Sequence, residues 1–168
     1  MQFAKDSVYI ALRERLATVN PARVVTIAGL TRPAVLVAEN LPVAADSTNA
    51  RLPNAFELHW GAASMVPGGH SARRPLMKLE CRIRYRTSGA DSAGADRGRT
   101  LGSLDTELLR ICAPPRTPKR DYSQPQPLFL GSMVFWGDPD FGNIEAADGE
   151  LRREARLFVF FFPEVDYA

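Results

Sequence analysis

The chain has 168 residues, 45% hydrophobic and 24% charged, with a formal net charge of +2. That length and balance fit one globular domain, residues 1–168, whose core needs no metal or disulfide staple, and they exclude a chain disordered throughout. No apolar run reaches the roughly 18 residues of a membrane helix, and the first residues lack a signal-peptide pattern, so neither export by that route nor a membrane span is expected.

The small net charge hides an asymmetry. Six basic residues face one acid from Arg73 to Arg86, whereas three arginines face eight acids from Gly137 to Ala168. Opposite patches of this kind suit head-to-tail pairing of subunits, and a solvated surface can carry them too.

From about Asp6 to Val19, Val8, Leu12, Leu16 and Val19 recur at helical spacing, and Pro21 stops the helix they predict. "RVVTI" at 23–27 and "AVLVA" at 34–38 read as two strands joined by a turn, the second at a sheet edge because Pro33 opens it. Residues 39–54 read as a loop. "AFELHWG" at 55–61 alternates, with Phe56, Leu58 and Trp60 opposed to Glu57 and His59. The Pro-Gly-Gly of "SMVPGGHSARR", 64–74, marks a turn or mobile loop.

"LMKLECRIRYR" at 76–86 is a half-buried strand by its period of two. Met77, Leu79, Cys81, Ile83 and Tyr85 form one row, and Lys78, Glu80, Arg82, Arg84 and Arg86 the other. Residues 87–99 have no periodicity. Thr100 is placed to cap a helix with the stripe Leu101, Leu104, Leu108 and Ile111, which Pro114 and Pro115 end. The proline-rich stretch 114–127 reads as a surface crossing, and "LFLGSMVFW" at 128–136 and "EARLFVFFF" at 154–162 as closing strands with an acidic connection. The expected fold is α/β of the α+β kind: a mostly antiparallel or mixed sheet, an N-terminal helix and a second helix on one face, and long loops suited to interfaces.

No residues assemble into a recognisable catalytic or metal site. His59 and His70 are isolated, Cys81 and Cys112 lie on apolar faces as reduced core thiols, and Asp138 and Asp140 in "GDPDFG" suit a turn. Phosphate-loop and dinucleotide signatures are missing, so no cofactor, metal or enzymatic activity is expected. Phe158, Phe160 and Phe162 share one side of the last strand and Phe161 the other, as core or subunit-interface residues.

Three readings of the basic row stand open. It is a solvated or cross-strand-paired row, with Glu57 as a neighbouring partner; an intersubunit salt-bridge surface; or a lining that tolerates passing DNA without reading its sequence. Single-strand recognition is disfavoured, because Tyr85 falls on the opposite side from the arginines.

The opening helix "DSVYIALRERLATVNP", the strands with "RPAVLVAE" and "FELHWG", the basic strand, the helix "TLGSLDTELLRIC" and the closing aromatic strands together resemble the tail terminator proteins of long-tailed bacteriophages. That resemblance implies a virion protein of the tail-neck region, assembled in the host cytoplasm. It implies a homo-hexameric ring that caps the tail tube, stops its polymerisation and joins the tail to the neck or head connector. The implied partners are the tail tube protein, the neck or head-connector protein, a sheath protein where the tail contracts, and DNA passing through the channel; none is a membrane. Charge and spacing, not family motifs, nominate Lys78, Arg82, Arg84 and Arg86 for the subunit contact or lumen, and Arg116, Lys119 and Arg120 for a tail or neck contact. A neck or head-completion protein and a non-specific nucleic-acid-binding module are the alternatives.

Overall fold

A computed structural model describes residues 1–40, 52–71, 74–87, 94–113, 120–121, 128–129 and 134–163. Helix α1 (Gln2–Val19) is followed by β1 (Val24–Ile27), β2 (Leu30–Pro33) and β3 (Val35–Val37), then the long strands β4 (Phe56–Ser71) and β5 (Arg74–Arg86). Helix α2 (Gly94–Cys112), the two-residue strands β6 (Arg120–Asp121) and β7 (Leu128–Phe129), then β8 (Val134–Trp136), β9 (Asp140–Ala147) and β10 (Glu150–Phe161) complete the order.

The fold is α+β. Its main sheet has six strands in the order β3-β4-β5-β10-β8, with β9 pairing β10 beside β8; β3 joins β4 in parallel and the other pairs are antiparallel. The alternation in β5 decides which side is buried. Leu79, Cys81, Ile83 and Tyr85 are enclosed with Ala155, Leu157, Val159 and Phe161 of β10. Both helices lie over that side. Phe3, Val8, Leu12 and Leu16 of α1 and Leu101, Leu104, Leu108 and Ile111 of α2 belong to the same core, and Phe3 meets Phe161 edge-on at 5.9 Å.

Polar ties fix the helices to the sheet. Arg15 of α1 donates to the carbonyls of Arg110 and Ala113, and the Trp136 indole donates to that of Cys112 at 3.1 Å, so the last carbonyls of α2 are satisfied from two other elements. Arg23 and Asn20 close on Glu107, which is 7% exposed. Cys81 and Cys112 are both free and buried.

Several elements depart from the sequence reading. Helix α1 starts at Gln2, not Asp6. The partner of β1 is Leu30–Pro33, across a turn in which Ala28 and Gly29 have positive φ, while "AVLVA" leaves that hairpin to edge the main sheet. The expected loop 64–74 is strand as far as Ser71; a register shift between Met65 and His70 accommodates Pro67 and Gly68. Thr100 is inside α2, its hydroxyl donating to the Asp96 carbonyl, so it caps nothing. The acidic connection contains β9, joined to β10 by a tight turn at Asp148 and Gly149. Most of the expected loops 39–54 and 114–127, and residues 130–133 of the expected strand 128–136, lie outside the described residues.

Candidate functional site

The side of the sheet away from the helices carries the polar row of β5, and register shows what stands beside each residue. Lys78 lies between Ser64 of β4 and Phe160 of β10, and Phe160 in turn lies beside Phe135 of β8. Glu80 is opposite Phe158. Arg82 sits between His59 and Arg156, Arg84 between Glu57 and Glu154, and Arg86 opposite Arg152. One end of this open face is therefore aromatic and the other is a lattice of charges.

In the charged half each arginine nominated from the sequence has a carboxylate. Arg82 meets Glu80 at 3.1 Å, Arg84 meets Glu154 at 2.7 Å and Arg86 meets Glu150 at 3.0 Å. The bond to Glu80 raises the Arg82 pKa above its ordinary value. Arg152 shares Glu150 and reaches Asp148. Glu57, only 8% exposed, is 3.7 Å from the His59 ring, and Arg86 Nε is buried without a hydrogen-bond partner among the described residues.

Strand β9 borders a groove of about 470 Å³ over this half. Arg84, Arg86, Arg152, Arg153 and Arg156 line it together with Glu57, Asp140, Glu145 and Glu154. Arg153 turns its guanidinium to Asp105 of α2, so four arginines stand against four carboxylates; the groove holds little surplus charge for a polyanion, and its chemistry is that of exchangeable ion pairs. Gly142 lets β9 approach closely, since a Cβ there would lie 2.9 Å from the Glu154 carbonyl oxygen, and Arg153 Nε donates to the Gly142 carbonyl at 2.8 Å.

The aromatic half was not legible from β5 alone. Phe158 and Phe160 turn away from the core that Phe161 enters, and Phe135 is 39% exposed beside them. The arginine side of β5 thus does carry aromatics, contributed by its neighbours, although Tyr85 faces the core. Their rings are already engaged: Lys78 Nζ is 3.7 Å from the Phe158 ring centre, and Phe135 and Phe160 stack at 5.3 Å. The alternation of "LFVFFF" was the available signal, once β5 is known to be the neighbour of β10.

No protein-family model matches the chain, and no curated protein does either. The geometry itself must therefore carry the functional reading. Among the described residues no group of three or more His, Cys, Asp or Glu could hold a metal ion, and no helix is long and apolar enough to cross a membrane. Asp138 and Asp140 are not gathered with a third such ligand. Burial pushes the Cys112 thiol up to about 12 and the Cys81 thiol well above its ordinary range, so both are weak nucleophiles where they lie.

Arg116 and Lys119 lie outside the described residues, as does the side chain of Arg120; the backbone of Arg120 pairs with Phe129. The other four nominated residues, Lys78, Arg82, Arg84 and Arg86, stand on the open face.

Proposed function

We propose that this chain is a structural subunit of a bacteriophage virion, a tail terminator that forms a sixfold ring on the end of the tail tube. The ring stops tube polymerisation and presents its other side to the neck or head connector. Its action is binding, with no reaction catalysed and no cofactor. The observation that carries this reading is the one-sided build: both helices cover a single sheet face, and the opposite face keeps an ordered lattice of ion pairs beside a cluster of phenylalanines. A subunit that assembles needs such a surface, rigid and patterned in charge and apolar area.

Growth ends in this mechanism because the two sides of the ring differ. One complements the last tube layer, and the other does not recruit a further tube ring. The ion-pairing of Arg82, Arg84 and Arg86 favours a protein-facing role over a polyanion-binding one, since each guanidinium would have to leave a carboxylate before meeting a phosphate.

The test is the native mass of the purified protein, followed by electron-microscope class averages and binding to tail-tube ends. A sixfold ring with an open channel that seats on tube ends is the expected result. A ring that ignores tube ends and binds the head connector would make it a neck protein. A monomer that binds neither tube ends nor connector, and binds duplex DNA in a salt-sensitive way, would overturn the reading in favour of a nucleic-acid module.

A further inference from the structure

The main sheet is open along parts of both edges. On one side β3 covers β4 only from Phe56 to Leu58, and among the described residues no strand covers the stretch beyond Val37. On the other side β9 pairs β10 along one edge, and among the described residues nothing pairs its second edge. Open strand edges expose rows of backbone donors and acceptors that template pairing, and proteins usually guard them with Lys, Pro or inward charge. Strand β9, "DFGNIEAA", contains no Lys, Arg or Pro.

Each edge also exposes one large apolar side chain. Met65 on β4 is 64% exposed and Ile144 on β9 is 55% exposed. Register puts both on the same side of the sheet: Met65 stands opposite Met77, in the row of Leu79 and Cys81, and Ile144 stands opposite Arg153, which is opposite Tyr85 of that row. The open stretch of β4, residues 61–66, carries no charge, and the start of the adjoining β5 brings Arg74 and Lys78; residues 137–148 contain Asp138, Asp140, Glu145 and Asp148 and no Lys or Arg, so the two edges set no like charges against each other.

We propose that β9 of one copy adds to the open edge of β4, at about residues 61–66, in the next copy, joining the two sheets side by side. This deepens the ring reading and rests on it. The join sets Ile144 beside Met65 on the helix side and lays the acids of β9 along an uncharged stretch of β4 on the other, so no like charges meet. Two different edges meet in this contact, so it is heterologous and propagates from subunit to subunit until a ring closes. Pro67, which has no N–H to donate, ends the pairing on β4.

Cross-linking of Met65→Cys and Ile144→Cys variants with a bis-maleimide tests the join, because Cys81 and Cys112 are buried in the core and out of the reagent's reach. The double variant is expected to give a covalent ladder reaching the full ring. A mixture of the two single variants is expected to give cross-linked dimers and nothing larger, and either single variant alone nothing. A ring of native mass that fails to cross-link in the double variant, or cross-linking by one single variant alone, overturns the edge contact and leaves the ring standing. A wild-type protein that is monomeric in solution and on tube ends overturns the ring and the join together. As a second readout, Ile144→Lys is expected to dissociate the ring with no change in the monomer's melting temperature; an intact Ile144→Lys ring counts against the join.

Discussion

Arg153 of β10 and Asp105 of α2 form an ion pair of 2.6 Å, and Tyr85 of β5 donates its hydroxyl to the same carboxylate. Three elements meet at one acid, with both members of the ion pair about one-fifth exposed. Asp105→Ala leaves a half-buried guanidinium and a buried hydroxyl without that acceptor, and the expected cost is about 2 kcal/mol of stability. Urea unfolding of the wild type and variant measures it. A change within a few tenths of a kcal/mol would mean that the junction contributes little to docking α2.

The lattice on the open face makes a sharper demand on charge than a free basic row would. Arg84 is placed between Glu57 and Glu154, so Arg84→Glu sets three carboxylates across adjacent strands and is expected to destabilise the fold by about 1–2 kcal/mol. The exchange Arg84→Glu with Glu154→Arg should recover part of that loss. A double-mutant cycle at low and high salt is the measurement, and additive effects would show that the 2.7 Å pair is not coupled. Arg82→Glu, beside Arg156 on the more exposed part of the face, should leave melting nearly unchanged and weaken assembly.

Side-chain periodicity alone predicted the elements with a buried stripe. The row Leu79, Cys81, Ile83 and Tyr85 and the stripe Leu101, Leu104, Leu108 and Ile111 are core in the folded chain. Strand β9 was hidden because Asp140, Gly142, Asn143 and Glu145 are poor strand formers and only Phe141 and Ala147 of its eight residues are even half-buried; its partner β10 and the turn hold it. The pair Asp148-Gly149, both at positive φ, is the tight-hairpin signal that would have exposed it. The distal half of β4 was hidden for the opposite reason, since Pro67 and Gly68 carry turn chemistry inside a strand that bulges around them. The first turns of α2, Gly94 to Arg99, contain three glycine or alanine residues and no apolar stripe. As for the open face, β5 announced its arginines and carries Glu80, the partner of Arg82, two residues away, but Glu154 and Glu150, which answer Arg84 and Arg86, depend on cross-strand register, and no local pattern encodes that.

Leu104 is fully buried on α2 among the side chains of the sheet and α1. Leu104→Asp removes apolar packing and places a carboxylate in a site with no partner for it, which should cost about 4 kcal/mol or more and abolish cooperative melting in a domain of this size. Leu104→Met, nearly equal in volume, should cost under about 1.5 kcal/mol. Calorimetry on both variants separates loss of packing from loss of the helix. Similar melting for the two would remove Leu104 from the core.

Alkaline pH should weaken the fold through its buried acids. Burial lifts the Cys112 thiol from an ordinary value of 9.0 to about 12, with Arg15 acting in the opposite direction, and burial raises Cys81 and Tyr85 as well, the latter helped by its bond to Asp105. Above pH 9.0 the unfolded chain releases a proton that folded Cys112 keeps, so the unfolded state binds fewer protons and stability falls as pH rises, until the folded thiol itself ionises near pH 12. Below pH 9.0 Cys112 is protonated in both states and adds no slope. Cys112→Ala is expected to lower stability at neutral pH by about 1 kcal/mol through the lost sulfur, and to flatten the decline in the alkaline window. Unfolding curves for wild type and variant, run from neutral pH toward about 11, decide it. Parallel declines would mean that the Cys112 proton is not linked to folding and that the alkaline loss comes from other groups.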